Sequence, residues 1–221
     1  MHLVFFDIDG TLISTGGAGG RSLRAAFSSL FEIEQPGDVP FSGRTDRGIA
    51  NNLFRLHGID DTHEQWTRLR DEYLRRLPEQ LEACTGRVLP GVRQLVQALQ
   101  DCDDVALGLL TGNVREGARI KLGHFGLFAP FDFGGFGDHH VARNDVAEEA
   151  LQAGKGHVGE HDEVWVVGDT PLDVECARAI QAKSLAVATG IHDREELAGS
   201  DPHYLCDDLS DVDAVLGRLL S

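Results

Sequence analysis

The sequence predicts an open α/β fold: a parallel sheet with helices on both faces, carrying an all-helical stretch inserted after its first strand. Three observations carry that expectation. Short continuous apolar runs recur at Leu3–Phe6, Val105–Leu110, Val164–Val167 and Leu185–Val187, the mark of strands buried on both faces as in a parallel sheet. Between the later runs, apolar residues return at helical spacing: Val92, Leu95, Val96 and Leu99, then Val174, Ala177 and Ile180. From about Ser14 to Leu89 the periodicity is helical throughout, with no convincing strand.

In chain order, the first strand ends in Asp7-Ile8-Asp9-Gly10. The run Gly16-Gly17-Ala18-Gly19-Gly20 follows. It has neither dinucleotide-fingerprint spacing nor a Walker lysine, so it reads as a hinge. Three helical stripes come next: Leu23, Ala26, Phe27, Leu30 and Phe31; Ile49, Leu53 and Phe54; and Trp66, Leu69, Tyr73, Leu74 and Leu77. Gly86 and Pro90-Gly91 mark the return to alternating strands and helices. The later strands end in Thr111-Gly112-Asn113 and Gly168-Asp169-Thr170. The expected division is an α/β core at 1–14 and 89–221, with a helical unit at 15–88. Crossovers between parallel strands should be right-handed.

With 221 residues, 42% apolar and 25% charged, the chain can bury one sizeable core in the manner of a soluble globular protein. Twenty Lys and Arg against 36 Asp and Glu leave a formal charge of −16. Nucleic acid and anionic membranes are therefore not expected partners. An anionic substrate would need positive charge held locally, which a bound divalent cation supplies. The four cysteines form no C-x-x-C pair and read as reduced thiols. No apolar run approaches spanning length and no signal-peptide pattern is present, so a cytoplasmic location is expected.

In doubly wound sheets, ligands bind beyond the carboxyl ends of the strands, where this sequence places its polar clusters. Strand alternation sets Asp7 and Asp9 on one side with Ile8 turned away. Adding Asp169 and Asp173 gives an all-oxygen, highly negative site suited to Mg²⁺. A phosphate held there beside a free carboxylate is arranged for nucleophilic attack and an aspartyl-phosphate intermediate. Asp9 would transfer protons to and from the leaving oxygen and water, Thr111 would donate a hydrogen bond, and a Lys or Arg would balance charge.

Asp7-Ile8-Asp9-Gly10-Thr11-Leu12, Leu110-Thr111-Gly112-Asn113 and Gly168-Asp169-Thr170-Pro171-Leu172-Asp173 occur in this order, each after an apolar strand. In these motifs the chain resembles haloacid dehalogenase superfamily phosphatases, of the branch similar to phosphoglycolate phosphatases. The resemblance implies a Rossmann-like core with an inserted helical cap domain hinged near Ser14–Gly20 and Arg87–Pro90. It implies Asp7 as nucleophile and Mg²⁺ ligand, and Asp9 as acid/base with its main-chain carbonyl on the metal. Asp169 becomes a ligand, Asp173 a ligand or an orienter through water. Thr111 holds the phosphate, and Gly112 and Asn113 belong to the same substrate-binding loop. The family's third motif presents a lysine, often before proline, and no Lys-Pro occurs here. The matching region, Gly137 to Asp145, offers Arg143 as the cation. Lys155, further along, is the competitor.

Several residues admit a plainer role. Thr111 can cap the following helix, and Asp173 can simply occupy a helix first turn. In Ser42-Gly43-Arg44-Thr45-Asp46, Arg44 and Thr45 can contact substrate, or Thr45 or Asp46 can be a helix N-cap beside a surface arginine. His139-His140 with Asp138 reads as loop rather than as a second metal site. The expected function is hydrolysis of a small phosphomonoester, phosphoglycolate-like or a sugar phosphate. A phosphomutase uses the same carboxylates and is the alternative within the superfamily; a non-catalytic phosphate- or metal-binding module is the alternative outside enzymes. A dehalogenase would not need Asp9. A phosphonate hydrolase would use a cap lysine, and Gly16 to Leu89 contains none.

Overall fold

The computed structural model describes residues 1–131, 133–157 and 163–221. The chain begins with β1 (His2–Phe6), β2 (Ile13–Ser14), α1 (Ala18–Phe31), α2 (Asp46–Leu56), α3 (His63–Ala83) and β3 (Arg87–Val88). It continues through α4 (Val92–Gln100), β4 (Val105–Leu110), α5 (Arg115–His124), β5 (Phe133–Gly135), α6 (Arg143–Gly154) and β6 (Glu163–Gly168). It closes with α7 (Pro171–Ala179), β7 (Lys183–Val187), α8 (Arg194–Gly199), β8 (Tyr204–Cys206) and α9 (Val212–Leu219). Six strands form one parallel sheet in the order β5-β4-β1-β6-β7-β8.

Alternation along β1 shows why the sheet is covered twice. Val4 and Phe6 pack on one face with Leu95 and Leu99 of α4, Leu122 of α5 and Val215 of α9. Leu3 and Phe5 pack on the other with Val146 and Ala150 of α6 and Ala177 of α7. These four side chains are fully buried, each worth about 1.5–3 kcal/mol relative to exposure. A central strand therefore cannot alternate polar with apolar, and its sequence reads as a continuous apolar run. Phe6 sits opposite Leu109 of β4 and Val167 of β6. That register brings the loops after β1, β4 and β6 to one edge.

The all-helical stretch is present as α1, α2 and α3. They share an apolar cluster that includes Phe27, Phe54, Trp66 and Leu69, against which Val114, Ile120 and Phe125 of the sheet-associated region also pack. Its two ends are pinned together where β2 and β3 pair antiparallel, Ile13 with Val88 and Ser14 with Arg87. Expected as a hinge across all five residues, the glycine run is non-helical only at its start. Gly16 and Gly17 have φ of 61° and 86°, and Gly19 and Gly20 already lie in the first turn of α1. Among the described residues, no helix is long and apolar enough to cross a membrane.

Candidate active site

Asp7 is the first residue beyond β1, and its amide donates to the Val167 carbonyl of β6 at 2.9 Å. Asp169 follows β6, and Asp173 stands in the first turn of α7. Oxygens of these three buried carboxylates lie within 4.8 Å of one another. Asp169 can sit this deep because Gly10 and Gly190 lack side chains; a Cβ on either would collide with its carboxylate. Gly10 also holds φ +90°, unfavourable for any other residue. Thr11 Oγ1 donates to Asp169 Oδ1 at 3.1 Å. Asp173 completes a capping box, its Oδ2 accepting from Thr170 N at 3.0 Å and from Thr170 Oγ1 at 2.8 Å.

One buried cation serves this group among the described residues. Arg143, the first residue of α6, reaches Asp7 Oδ1 at 3.1 Å and Asp173 Oδ1 at 2.5 Å through one terminal nitrogen. Its buried Nε has no hydrogen-bond partner among the described residues, an orphan donor of the kind an anionic ligand satisfies. Three carboxylates outnumber the guanidinium, and for Asp7 and Asp169 the crowding adds to what burial does. Burial pushes Asp7 up to about 6; Arg143 opposes the rise, and Asp173 and Asp9 add to it. Burial, then Asp173 and Asp7, push Asp169 well above the ordinary carboxylate range. Buried, all-oxygen and short of positive charge, these donors fit a hard divalent cation.

Asp9, two residues on, has other partners. Its Oδ2 accepts from Lys121 Nζ at 2.6 Å and Asn113 Nδ2 at 2.9 Å, and its Oδ1 from Thr15 Oγ1 at 3.3 Å. Burial alone would raise its pKa, but the Lys121 charge and the hydrogen bonds from Lys121, Asn113 and Thr15 outweigh it and lower the value. Lys121 Nζ also donates to Asn113 Oδ1 at 2.5 Å. Asn113 Nδ2 donates to Thr111 Oγ1 at 2.8 Å, and the Asn113 amide to the same oxygen at 3.3 Å. The Thr111 hydroxyl is thus an acceptor twice over, which leaves its own proton for another partner.

The segment before α2 seals the edge of this arrangement. Asp46 N donates to the Gly112 carbonyl at 2.7 Å, and Asp46 Oδ2 accepts from Val114 N at 2.9 Å. Thr45 Oγ1 donates to the His140 carbonyl at 2.6 Å and caps α2 by accepting from Gly48 N. Trp66 Nε1 donates to the Asp138 carbonyl at 3.0 Å. Burial pushes Asp46 up to about 6 against the lowering effects of Lys121 and the Val114 amide.

Residues 4–187 match the model of the haloacid dehalogenase-like hydrolases. The chain belongs to that family. Within it, the chain is similar to a phosphoglycolate phosphatase of Synechococcus elongatus, 26% identical over 100% of this chain and 99% of that protein. It is similar also to the pyrophosphatase PpaX of Halalkalibacterium halodurans, 25% identical over 98% and 97%. Among solved structures, a hydrolase from Pseudomonas syringae superposes with TM-score 0.75 at 22% identity over 99% of each chain. A beta-phosphoglucomutase from Clostridium difficile does so with TM-score 0.75 at 15% identity over 100% and 97%. These two likenesses are of fold.

Within this haloacid dehalogenase-like chain, Asp7, Asp9, Thr111, Gly112, Asn113, Arg143, Asp169 and Asp173 come together at one sheet edge. Arg143 opens α6, whereas Lys155 is its C-cap, roughly 18 Å away along a helix of that length. Lys155 is no partner of the acidic group. Thr111 does not cap α5, whose N-cap is Val114 without a side-chain bond. Thr45 is the α2 N-cap. The Arg44 side chain is exposed, and it is the Arg44 carbonyl that packs on Gly112, where a Cβ would collide with it. His140 Nε2 pairs with Glu149 at 2.8 Å, and His139 is exposed. Lys121 was not anticipated. Its signal lay in the helix face: it falls at the buried positions of α5 with Gly117, Ala118 and Leu122.

Proposed function

We propose that this protein is a Mg²⁺-dependent phosphatase that hydrolyses a small phosphomonoester through an aspartyl-phosphate on Asp7. The observation that carries this reading is the sorting of the carboxylates: Asp7, Asp169 and Asp173 crowd together around Arg143, while Asp9 is held by a separate cation.

Asp7, Asp169 and Asp173, with the Asp9 main-chain carbonyl, would hold the ion. Bound there, it supplies the positive charge that lets a phosphate dianion approach three carboxylates. Arg143 turns its unpartnered Nε toward the phosphate, and Thr111 donates its remaining proton to a phosphate oxygen. An Asp7 oxygen attacks phosphorus as the bond to the leaving oxygen breaks, and Asp9, ionised at rest, takes up a proton from solvent and passes it to that oxygen. Water then attacks phosphorus, Asp9 takes its proton, and the Asp7 carboxylate is released with inorganic phosphate. The helices of 15–88 act as the cap, whose N-terminal α2 segment closes over the Gly112 loop and excludes bulk water.

Phosphoglycolate is the first substrate to assay, because the chain aligns end to end with a phosphoglycolate phosphatase. A phosphomutase reading rests on the fold likeness to a beta-phosphoglucomutase; transfer of phosphate to a sugar, in place of release to water, would select it. The test is turnover of p-nitrophenyl phosphate and a metabolite-phosphate panel, with Mg²⁺ and with EDTA. Phosphate release that stops with EDTA and returns with Mg²⁺ is expected. Metal-independent release contradicts the mechanism, and no release from any ester favours a binding module.

A further inference from the structure

We propose that Lys121 is a positioning residue: its ammonium fixes both the Asp9 carboxylate and the amide orientation of Asn113, and through Asn113 it sets Thr111 as a donor to phosphate. The inference rests on the phosphatase reading above and assigns a role to a residue outside its motifs.

Lys121 is buried on α5 at 4% exposure, and burying an ammonium is costly unless it is paired and hydrogen-bonded. Here it spans two loops, with Asp9 Oδ2 at 2.6 Å after β1 and Asn113 Oδ1 at 2.5 Å after β4. An ammonium only donates, so the Asn113 atom facing it must be the carbonyl oxygen. That contact fixes which way the amide lies. Its nitrogen is then committed to Asp9 Oδ2 at 2.9 Å and Thr111 Oγ1 at 2.8 Å. With its oxygen accepting from Asn113, the Thr111 hydroxyl has its proton left to give. One cation therefore sets the direction of a proton-transfer group and of a phosphate-binding group.

The same ammonium meets the helical segment. A Cβ on Gly19, in the first turn of α1, would come within 2.9 Å of Lys121 Nζ. A side chain at this position would have to displace the ammonium, so Lys121 also marks where α1 meets the site.

The test compares kcat/KM for p-nitrophenyl phosphate with kcat/KM for the alkyl phosphate turned over fastest among phosphoglycolate, glycerol phosphate and hexose phosphates. Nitrophenolate leaves without a proton, whereas an alkoxide needs one from Asp9, so misplacing Asp9 weighs on the alkyl ester. Lys121→Met should lose about 100-fold on the alkyl ester and roughly tenfold or less on the nitrophenyl ester. KM should change little, and Lys121→Arg should recover part of the alkyl activity. Removing the cation makes Asp9 hold its proton more readily, which by itself favours the poor leaving group. A selective alkyl loss thus reports geometry. An alkyl loss no larger than the nitrophenyl loss overturns the placing of Asp9 by Lys121, and an unchanged nitrophenyl rate overturns the setting of Thr111. If Lys121→Met does not give a cooperative thermal transition, Lys121→Gln is read by the same criterion. A wild type inactive on every ester overturns the phosphatase reading itself and this inference with it.

Discussion

Asp7 and Asp9 stand two residues apart on one loop, yet their surroundings drive them in opposite directions. Asp7 lies among carboxylates with a shared guanidinium and is pushed up to about 6. Asp9 accepts from an ammonium, an amide and a hydroxyl and lies below its ordinary value. The lesson is that spacing makes the two acids look alike, while the elements packed behind them give each a different task. A carboxylate crowded by others is prepared to receive a cation. One already satisfied by protein donors is prepared to be held in place. Environments that pull two acids apart are a recurrent way to assign roles in a catalytic pair.

Mutating each acid breaks the comparison most sharply. Asp7→Asn should lower turnover on the order of 10⁴-fold or more, because a nucleophile has no substitute. Asp9→Asn should cost about 10²- to 10⁴-fold, as loss of proton transfer does. Steady-state assays of p-nitrophenyl phosphate and an alkyl phosphate check both. Comparable small losses would mean that neither acid has the role assigned to it.

Arg143→Ala tests the crowded side alone. Removing one partner of a buried ion pair costs about 3–5 kcal/mol, and Mg²⁺ should restore part of it. Denaturant melts with and without Mg²⁺ measure both effects. A smaller effect follows from the metal itself: Mg²⁺ at a hundred times its Kd should add about 2.7 kcal/mol of stability. Ligands must lose their protons to bind, so Mg²⁺ affinity should strengthen as pH rises through about 6, the pKa of Asp7. Calorimetric titration at pH 5 and pH 7 (roughly one unit either side) reads the shift.

Asp46 gives the smallest effect. Its pKa is raised from 3.8 to about 6 on folding, so the folded state binds its proton more tightly. Its contribution is fully present below the unfolded value and is lost as pH climbs through the folded one. Asn cannot ionise, so Asp46→Asn should gain on wild type between about pH 4 and pH 7, by about 1 to 3 kcal/mol. Denaturant melts at the two pH values check it, and a constant difference would show that Asp46 does not titrate as described.

Much of this arrangement was legible in the sequence, for identifiable reasons. The four long strands are buried on both faces, and burial writes itself as an unbroken apolar run. Three-residue β5, Phe133-Gly134-Gly135, and β8, Tyr204-Leu205-Cys206, carry too little side-chain pattern for that signal. Asp7, Asp169 and Asp173 were readable because strand ends converge on one edge. Arg143 is readable as the favoured cation with Lys155 as its competitor, and α6 separates the two along its length. Lys121 lies beyond the motif loop that carries Asn113, so no motif points to it. Its partner is eight residues back in sequence, and their meeting depends on where α5 turns. For the Arg44 loop the sequence leaves a substrate-reading side chain and a helix cap open; Thr45 is the cap, and the Arg44 main chain meets Gly112.

The most direct test of the central claim is to look for phosphate on Asp7. Wild-type protein mixed with Mg²⁺ and substrate, quenched in acid within one turnover and digested, should give a phosphorylated peptide whose modified residue is Asp7. The Asp7→Asn variant should give none. Turnover with no protein-bound phosphate, or with the phosphate on another residue, would contradict the account.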